Sequence, residues 1–384
     1  MTNEPRVSSP ELDEEEDNRF NRKEASDVDA DDDSLGNRRD PAGDPSQSLR
    51  AQGNQGPSRP VIDRALGFER LVPERILGAV EALGFETSGH WFSLHCLENR
   101  VYDVRLEDER HLIAKFYRPG RWSREAILEE HRFLSDLEAA EVPAVCPLSV
   151  DGETLFELDG FKYALWPRVG GRSPEELSNE ELDILGRVVA RMHNVGASRE
   201  APSRVRLTSE TYARGPLAYL VERFVPFHLS ERYSAVVSDV AALFDEIVAG
   251  VPVHRVHGDC HLGNLLRNQN AWFFVDFDDC VTGPAAQDLW LLVPSQDAEG
   301  QRQRRRIVES YRQIRDFEDR WTLLFEPLRA LRFVHYSAWV GRRIHEPAFA
   351  SAFPDYATET YWLKEISDLE ARIRVIERSL GERR

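Results

Sequence analysis

The sequence predicts an α+β chain of two lobes, a small β-rich N-lobe followed by a larger, mainly helical C-lobe. Three observations carry that prediction. Short apolar or alternating runs crowd residues 91–166. Longer amphipathic runs fill most of the chain beyond Gly170-Gly171. One β-like island, around residues 253–277, interrupts those helices.

The elements follow in order. Residues 1–58 hold 15 acidic against seven basic side chains, a net of −8 within a total of −18, and contain no Ile, Trp or Tyr. Runs such as Glu14-Glu15-Glu16-Asp17 and Asp31-Asp32-Asp33 cannot bury enough surface to offset the entropy of ordering, so a disordered acidic tail is expected. Order should begin near Val61. Residues 74–83 read as a helix stopped at Gly84. Residues 91–96, 101–106 and 111–116 read as an antiparallel meander with polar turns at Glu98-Asn99 and Glu107-Asp108-Glu109. Ser123 is an N-cap for a helix ending near Ala140. Strand-like runs 153–157 and 162–166 complete an N-lobe spanning 59–168. The C-lobe, 169–384, should carry helices at 180–194, 216–224, 235–249, 300–316, 325–343 and 359–380.

Composition narrows the function. At 41% hydrophobic the 384 residues can bury a core. No stretch approaches the roughly 20 apolar residues that cross a bilayer, and residues 1–10 carry no secretory pattern. Cys96, Cys146, Cys260 and Cys280 are widely spaced without a CxxC, which suits a reducing cytoplasm. The acidic excess argues against a nucleic-acid-binding face.

The island carries the chemistry. It reads His257-Gly258-Asp259-Cys260-His261-Leu262-Gly263-Asn264, then Leu265-Leu266-Arg267, a polar turn at Asn268-Gln269-Asn270, and Trp272-Phe273-Phe274-Val275-Asp276-Phe277-Asp278-Asp279. Asn264 and Asp276 are equidistant from Asn270, so a hairpin closing there sets them side by side at its open end. An amide and a carboxylate are hard donors suited to Mg²⁺, and Asp259 lies within reach of the same group. Phosphoryl transfer needs that set: metal ligands at Asn264 and Asp276, and a base at Asp259. In His111-Leu112-Ile113-Ala114-Lys115-Phe116 the strand's one ammonium, Lys115, needs a partner. Ile127, Leu128, Phe133, Leu134 and Leu137 place Glu130 mid-stripe on the next helix and Glu129 away from it. A Lys115–Glu130 pair is how a kinase holds its lysine on the phosphates.

Residues 257–264 with 275–279 resemble the motif of the aminoglycoside phosphotransferase and choline kinase superfamily of protein-kinase-like folds. Further segments resemble the bacterial stress response kinase A family across residues 60–384. They are Glu98-Asn99-Arg100-Val101-Tyr102, Lys115-Phe116-Tyr117-Arg118-Pro119-Gly120-Arg121-Trp122, Ile127-Leu128-Glu129-Glu130-His131, Val169-Gly170-Gly171-Arg172, Gly283-Pro284-Ala285-Ala286-Gln287-Asp288-Leu289-Trp290 and His335-Tyr336-Ser337-Ala338-Trp339. The resemblance implies a cytoplasmic, monomeric serine/threonine protein kinase of stress responses, dependent on ATP and Mg²⁺ (or Mn²⁺). Its substrates would be protein hydroxyls, its own among them. It assigns Asp259 as base, Asn264 and Asp276 as metal ligands, Lys115 and Glu130 to the nucleotide phosphates, and Leu165-Trp166-Pro167 to the adenine hinge. The turn Leu97-Glu98-Asn99-Arg100 departs from typical kinases in having no glycine, which leaves Arg100 as the candidate phosphate contact there.

Competing readings stand beside this one. Trp339, Tyr336, Tyr361 and Trp362, with Asp278 and Asp279, would suit a cationic small-alcohol substrate. His257, Asp259 and His261 have the HxDxH spacing of a metal-dependent hydrolase. Asp288 is expected to accept backbone hydrogen bonds from the loop at 257–264. The cluster Arg302, Arg304, Arg305 and Arg306 reads as a solvated face or a dock for acidic segments.

Overall fold

The computed structural model describes residues 67–94, 96–268 and 271–381. The acidic segment 1–58 and the expected start of order near Val61 lie outside the described residues. A 3-10 turn, Phe68–Arg70, leads into α1 (Pro73–Glu81) and a five-stranded sheet. Its strands are β1 (Thr87–Leu94), β2 (Arg100–Leu106), β3 (His111–Phe116), β4 (Phe156–Leu158) and β5 (Phe161–Pro167), in spatial order β1-β2-β3-β5-β4 with every pair antiparallel. The helix α2 (Arg124–Ala139) sits between β3 and β4, capped by Ser123, whose hydroxyl accepts from Ala126 N at 3.1 Å.

Strand alternation sorts the sheet into two faces. Tyr102, Val104, Leu112, Ala114, Phe116 and Leu165 pack against Ile76, Ala79 and Val80 of α1. Tyr117, Ala164 and Trp166 form a second cluster with Ile127 of α2 on the other side. Lys115 stands opposite Ala164 in the ladder and so belongs to the α2 face. That parity aims a buried ammonium at the helix.

The remainder is helical around one large core: α3 (Asn179–Gly196), α4 (Gly215–Arg223), α5 (Ser230–Val248), then after the β island α6 (Ala286–Leu292), α7 (Ala298–Arg312), α8 (Phe325–Gly341), α9 (Pro347–Ala352) and α10 (Glu359–Gly381). The island holds two separate ribbons. In one, β6 (Val253–Val256) pairs with β9 (Val281–Pro284); in the other, β7 (Leu265–Arg267) pairs with β8 (Trp272–Phe274).

Several expectations shift. The run at 153–157 forms its strand only from Phe156, because Asp151-Gly152 and Asp159-Gly160 both take positive φ and make tight turns on either side. The helix expected from 235 begins at Ser230, straight out of a 3-10 turn, with Tyr233 buried in its first turn. That expected at 300–316 runs instead over Ala298–Arg312, since Asp297 caps its start. α6 was not expected, because all seven of its residues are buried and leave no periodicity to read. Neither was β9, whose Gly283-Pro284 reads as a break but lies at a strand end, where proline is tolerated.

α3 meets α7 at Gly186, where an added Cβ would lie 2.6 Å from Ile307 O and 2.8 Å from Ser310 Cβ. Alanine gains about 1 kcal/mol in helix propensity, whereas overpacking of this kind costs about 1–3 kcal/mol. The backbone carbonyl cannot yield as a side chain would. Gly186→Ala is therefore expected to lower the thermal midpoint, and a midpoint raised by the substitution would show that the helices separate freely.

Candidate active site

The loop after β6 is held from beneath by one carboxylate. Asp288, fully buried at the start of α6, accepts from His257 N at 2.8 Å, Gly258 N at 2.9 Å and His193 Nε2 at 2.9 Å. Burial pushes its carboxyl up, but the His193 hydrogen bond and those backbone donors hold it below the usual range. Gly258 has φ +84°, and a Cβ there would meet Asp279 O at 2.2 Å, so only glycine fits this turn. His257 supports the same loop. Its Nε2 donates to Val275 O at 2.9 Å and its Nδ1 accepts from Asp259 N at 3.3 Å. Both ring nitrogens are thereby occupied, which argues against the HxDxH hydrolase reading.

The hairpin's register differs from expectation by one residue. Leu265 pairs with Phe274 and Arg267 with Trp272, and Val275 N donates to Asn264 O at 3.0 Å, so Asn264 stands opposite Val275 rather than Asp276. The turn closes one residue earlier, with Asn268 N donating to Ala271 O. Asp276 then takes a left-handed conformation, φ 58° and ψ 64°, which ends the alternation. Strand alternation continued from Trp272 would set Asp276 and Asp278 on one face; with that alternation ended, Asp276 stays about half-exposed while Asp278 is buried. The Asn264 amide donates to Asp259 O at 2.9 Å, which leaves its oxygen as the hard donor.

Lys115 reaches this point from the sheet. Its Nζ lies 2.9 Å from Asp276 Oδ1, 3.4 Å from Asp278 Oδ1 and 3.9 Å from Glu130 Oε1. Burial alone would push the ammonium down, but these three carboxylates outweigh it and hold the pKa well above the usual lysine value. Burial pushes Glu130 up despite Lys115, and its Oε2 accepts no hydrogen bond among the described residues. Glu130 thus faces inward as expected. Glu129, expected to point away, is also buried and accepts from Ser203 N at 2.9 Å, because the loop before α4 covers that side of α2.

Asp259 is buried with Oδ1 2.6 Å from Arg332 Nη2 and Oδ2 3.5 Å from His261 Nε2. Arg332 was missed by sequence reasoning. It lies on α8 three residues before the segment 335–339, and nothing in that segment marks it as a partner of Asp259. Arg121 was missed likewise: it pairs with Asp278 at 2.5 Å and with Asp279. Arg204 is a third, donating to Asp278 O and, at 2.8 Å, to Cys280 O.

Asn264, Asp276 and Asp278 offer oxygen donors only, and Asp278 Oδ1 accepts no hydrogen bond among the described residues. That donor set fits a hard divalent cation. Among the described residues no group of three or more His, Cys, Asp or Glu is placed to hold a metal ion.

The remaining expectations fare differently. Arg100 lies over the Phe68 ring at 4.6 Å and donates to Asn99 O at 3.1 Å, while the turn beside it is buried: Asn99 Nδ2 donates to Asp278 at 3.2 Å, and Glu98 accepts from Trp339 Nε1 at 2.5 Å and Arg343 Nη2 at 2.7 Å. Leu165 and Trp166 close β5 as buried residues. Tyr336 and Trp362 belong to the core, with Tyr361 packed against it, while Trp339, also in the core, has an edge on the cavity between the lobes; Arg121, Lys115 and Arg204 neutralise Asp278. In the arginine cluster, Arg302 pairs with Glu299, Arg304 caps backbone carbonyls and Arg306 pairs with Asp183, which removes most of that dock.

The sequence pattern of the phosphotransferase enzyme family matches residues 95–323. The chain is 37% identical over 325 residues to stress response kinase A of Escherichia coli K12, covering 82% of this chain and 96% of that one. It is 36% identical over 326 residues, with the same coverage, to a Salmonella typhimurium protein named serine/threonine protein kinase RdoA. Among solved structures, an amicoumacin kinase in complex with AMP-PNP, Ca²⁺ and Ami superposes with a TM-score of 0.60 at 20% identity, covering 78% of this chain and 95% of that one. The two share a two-lobed fold. Among the described residues no helix is long and apolar enough to cross a membrane.

Burial pushes Asp278 up, but Lys115, Arg121, Arg204 and the Asn99 amide hold it well below the usual carboxylate range. A depressed folded pKa contributes stability that is complete above the unfolded value and fades as pH falls below it. Asp278→Asn should therefore cost on the order of 3 kcal/mol at pH 7. The deficit should shrink as pH drops below about 4. Urea melts at pH 7 and pH 3 measure it, and a deficit unchanged between them contradicts the assignment.

Proposed function

Because this chain belongs to the phosphotransferase enzyme family and, within it, to the stress response kinase A family, it is a kinase that transfers phosphate to a hydroxyl, and we propose that it uses ATP and Mg²⁺ to phosphorylate serine and threonine hydroxyls of proteins. In this reading residues 59–168 form the nucleotide-binding lobe and residues 169–384 the lobe that carries the catalytic loop and the metal-binding hairpin. The observation that carries it is the approach of Lys115 to Asp276 at 2.9 Å, from opposite lobes.

Each residue then has a defined task. Lys115 holds the nucleotide phosphates, and Glu130 fixes the ammonium from the helix side. Asn264 and Asp276 hold the cation, which when bound would supply charge neutralisation at the phosphates. Asp259 accepts the proton of the incoming hydroxyl, and Arg332, bonded to its Oδ1, fixes its direction. Asp278 anchors Lys115 and Arg121 from below. Arg100, turned onto Phe68 and the backbone, has no assigned phosphate contact in this reading.

The experiment is incubation of the purified protein with labelled ATP and Mg²⁺, with Mn²⁺ as a second metal, and with a generic protein substrate or a panel of small alcohols. Label on protein, including the kinase itself, supports the reading. Label on an amino alcohol or aminoglycoside alone would replace it with a small-molecule kinase. Asp259→Asn should lower turnover by about 10²–10⁴-fold with Mg-nucleotide still bound, Asp276→Ala should weaken Mg-nucleotide binding itself, and Lys115→Ala should lower turnover strongly. Undiminished turnover in Lys115→Ala or Asp259→Asn would overturn the site.

A further inference from the structure

Between the two lobes lies a cavity of about 1230 Å³. Pockets for small ligands fill roughly 300–1,000 Å³, so this one has room for a length of chain. Its charge runs against that of the protein. Arg100, Arg118, Arg121, Arg342 and Arg343 line it, against Asp279 and Glu346 as the lining carboxylates, in a chain of net charge −18.

The arginines are of two kinds. Arg118, Arg121 and Arg343 are held by the buried Glu98, at 2.9, 3.6 and 2.7 Å. Arg100 and Arg342 pair with no carboxylate among the described residues. Arg100 lies over Phe68 at 4.6 Å and Arg342 over Tyr219 at 5.4 Å. Arg100 also spends one Nη on the carbonyls of Cys96 and Asn99, whereas the guanidinium of Arg342, stacked on its ring, offers its N–H edge to a carboxylate. The groove is also joined to the chemistry. His335, which lines it, stands one turn along α8 from Arg332, and Arg332 touches Asp259. Arg121 meets both Asp278 and Asp279.

We propose that this groove is the acceptor site and that it takes an acidic polypeptide segment of another protein, with carboxylates flanking the serine or threonine that faces Asp259. The inference deepens the protein-kinase reading and rests on it. Charge complementarity selects the occupant: Phe68, Trp122, Tyr212 and Trp339 also line the groove, but a cationic amino alcohol would meet five arginines there against two carboxylates.

Binding is measured without nucleotide, which separates the groove from catalysis. The full-length protein is titrated against fluorescent serine peptides flanked by Asp and Glu, by Asn and Gln, or by Lys and Arg, and anisotropy is read at low and moderate salt. The acidic peptide should bind at least about tenfold more tightly than its amide counterpart, and the advantage should shrink as salt screens the charges. Arg342→Gln should reduce that advantage severalfold and Arg342→Glu should abolish it, with the thermal midpoint and Mg-nucleotide affinity unchanged. Equal affinity for the three peptides, or selectivity untouched by Arg342→Glu, overturns the proposal. So does a result in which acidic peptide binds only after Glu14→Gln, Glu15→Gln, Glu16→Gln and Asp17→Asn are introduced together, since the chain's own N-terminal segment would then be the occupant. Selective binding without phosphate transfer would leave the groove standing and fault the kinase reading instead.

Discussion

One buried ammonium sets the terms for the rest of the molecule. Lys115 is nearly inaccessible, and a lone charge in that position is costly to remove from water. Its compensation is divided: Glu130 comes from the same lobe, Asp276 and Asp278 from the other. The sheet, the helix beside it and the hairpin across the cleft must therefore keep station together. β3 parity turns Lys115 toward α2, and α2 buries a glutamate it would otherwise expose. Asp276 accepts a strained backbone that carries its carboxylate to the ammonium. The arrangement does not by itself make the fold stable, because desolvating Lys115, Glu130 and Asp278 consumes much of what the attraction returns. It makes the lobes' relative position specific.

The parts of this arrangement legible in the sequence were those governed by short periods. Alternation places Lys115, a 3.6-residue stripe places Glu130, and the polar turn at 268–270 brings Asn264 and Asp276 into one neighbourhood. The one-residue shift in the hairpin was not legible, since turn closure at Asn268 and Ala271 depends on a local hydrogen bond that the run Asn268-Gln269-Asn270 offers in more than one place. Long-range partners were hidden altogether. Glu98 meets Trp339 and Arg343 across separations of 241 and 245 residues, and Arg332 meets Asp259 across 73. An arginine on a helix carries no mark that distinguishes a solvated face from an ion pair with the proposed base. Asp278, grouped in the sequence with Asp279 as a contact for a cationic substrate, is a buried counter-charge for Lys115 and Arg121, with Arg204 close by.

Composition misled in one respect. An acidic total suits the exclusion of nucleic acid but says nothing about where the basic side chains gather. The arginine cluster visible in the linear sequence, at 302–306, is mostly neutralised by its own surroundings. The cationic groove is assembled instead from segments scattered between Arg100 and Arg343, none of which forms a run. Its sign emerges only once the two lobes are folded against each other.

The glycine-free turn from Leu97 to Arg100 has a further consequence. Glu98 and Asn99 are buried and fastened to Trp339, Arg343 and Asp278 of the opposite lobe. A glycine-rich flap is loose when empty and gives up its freedom each time a nucleotide arrives. This turn gives up that freedom once, as the chain folds, so the roof of the cleft behaves as a fixed beam. Rigidity of that kind shifts the cost of organisation from every catalytic cycle to a single act of folding.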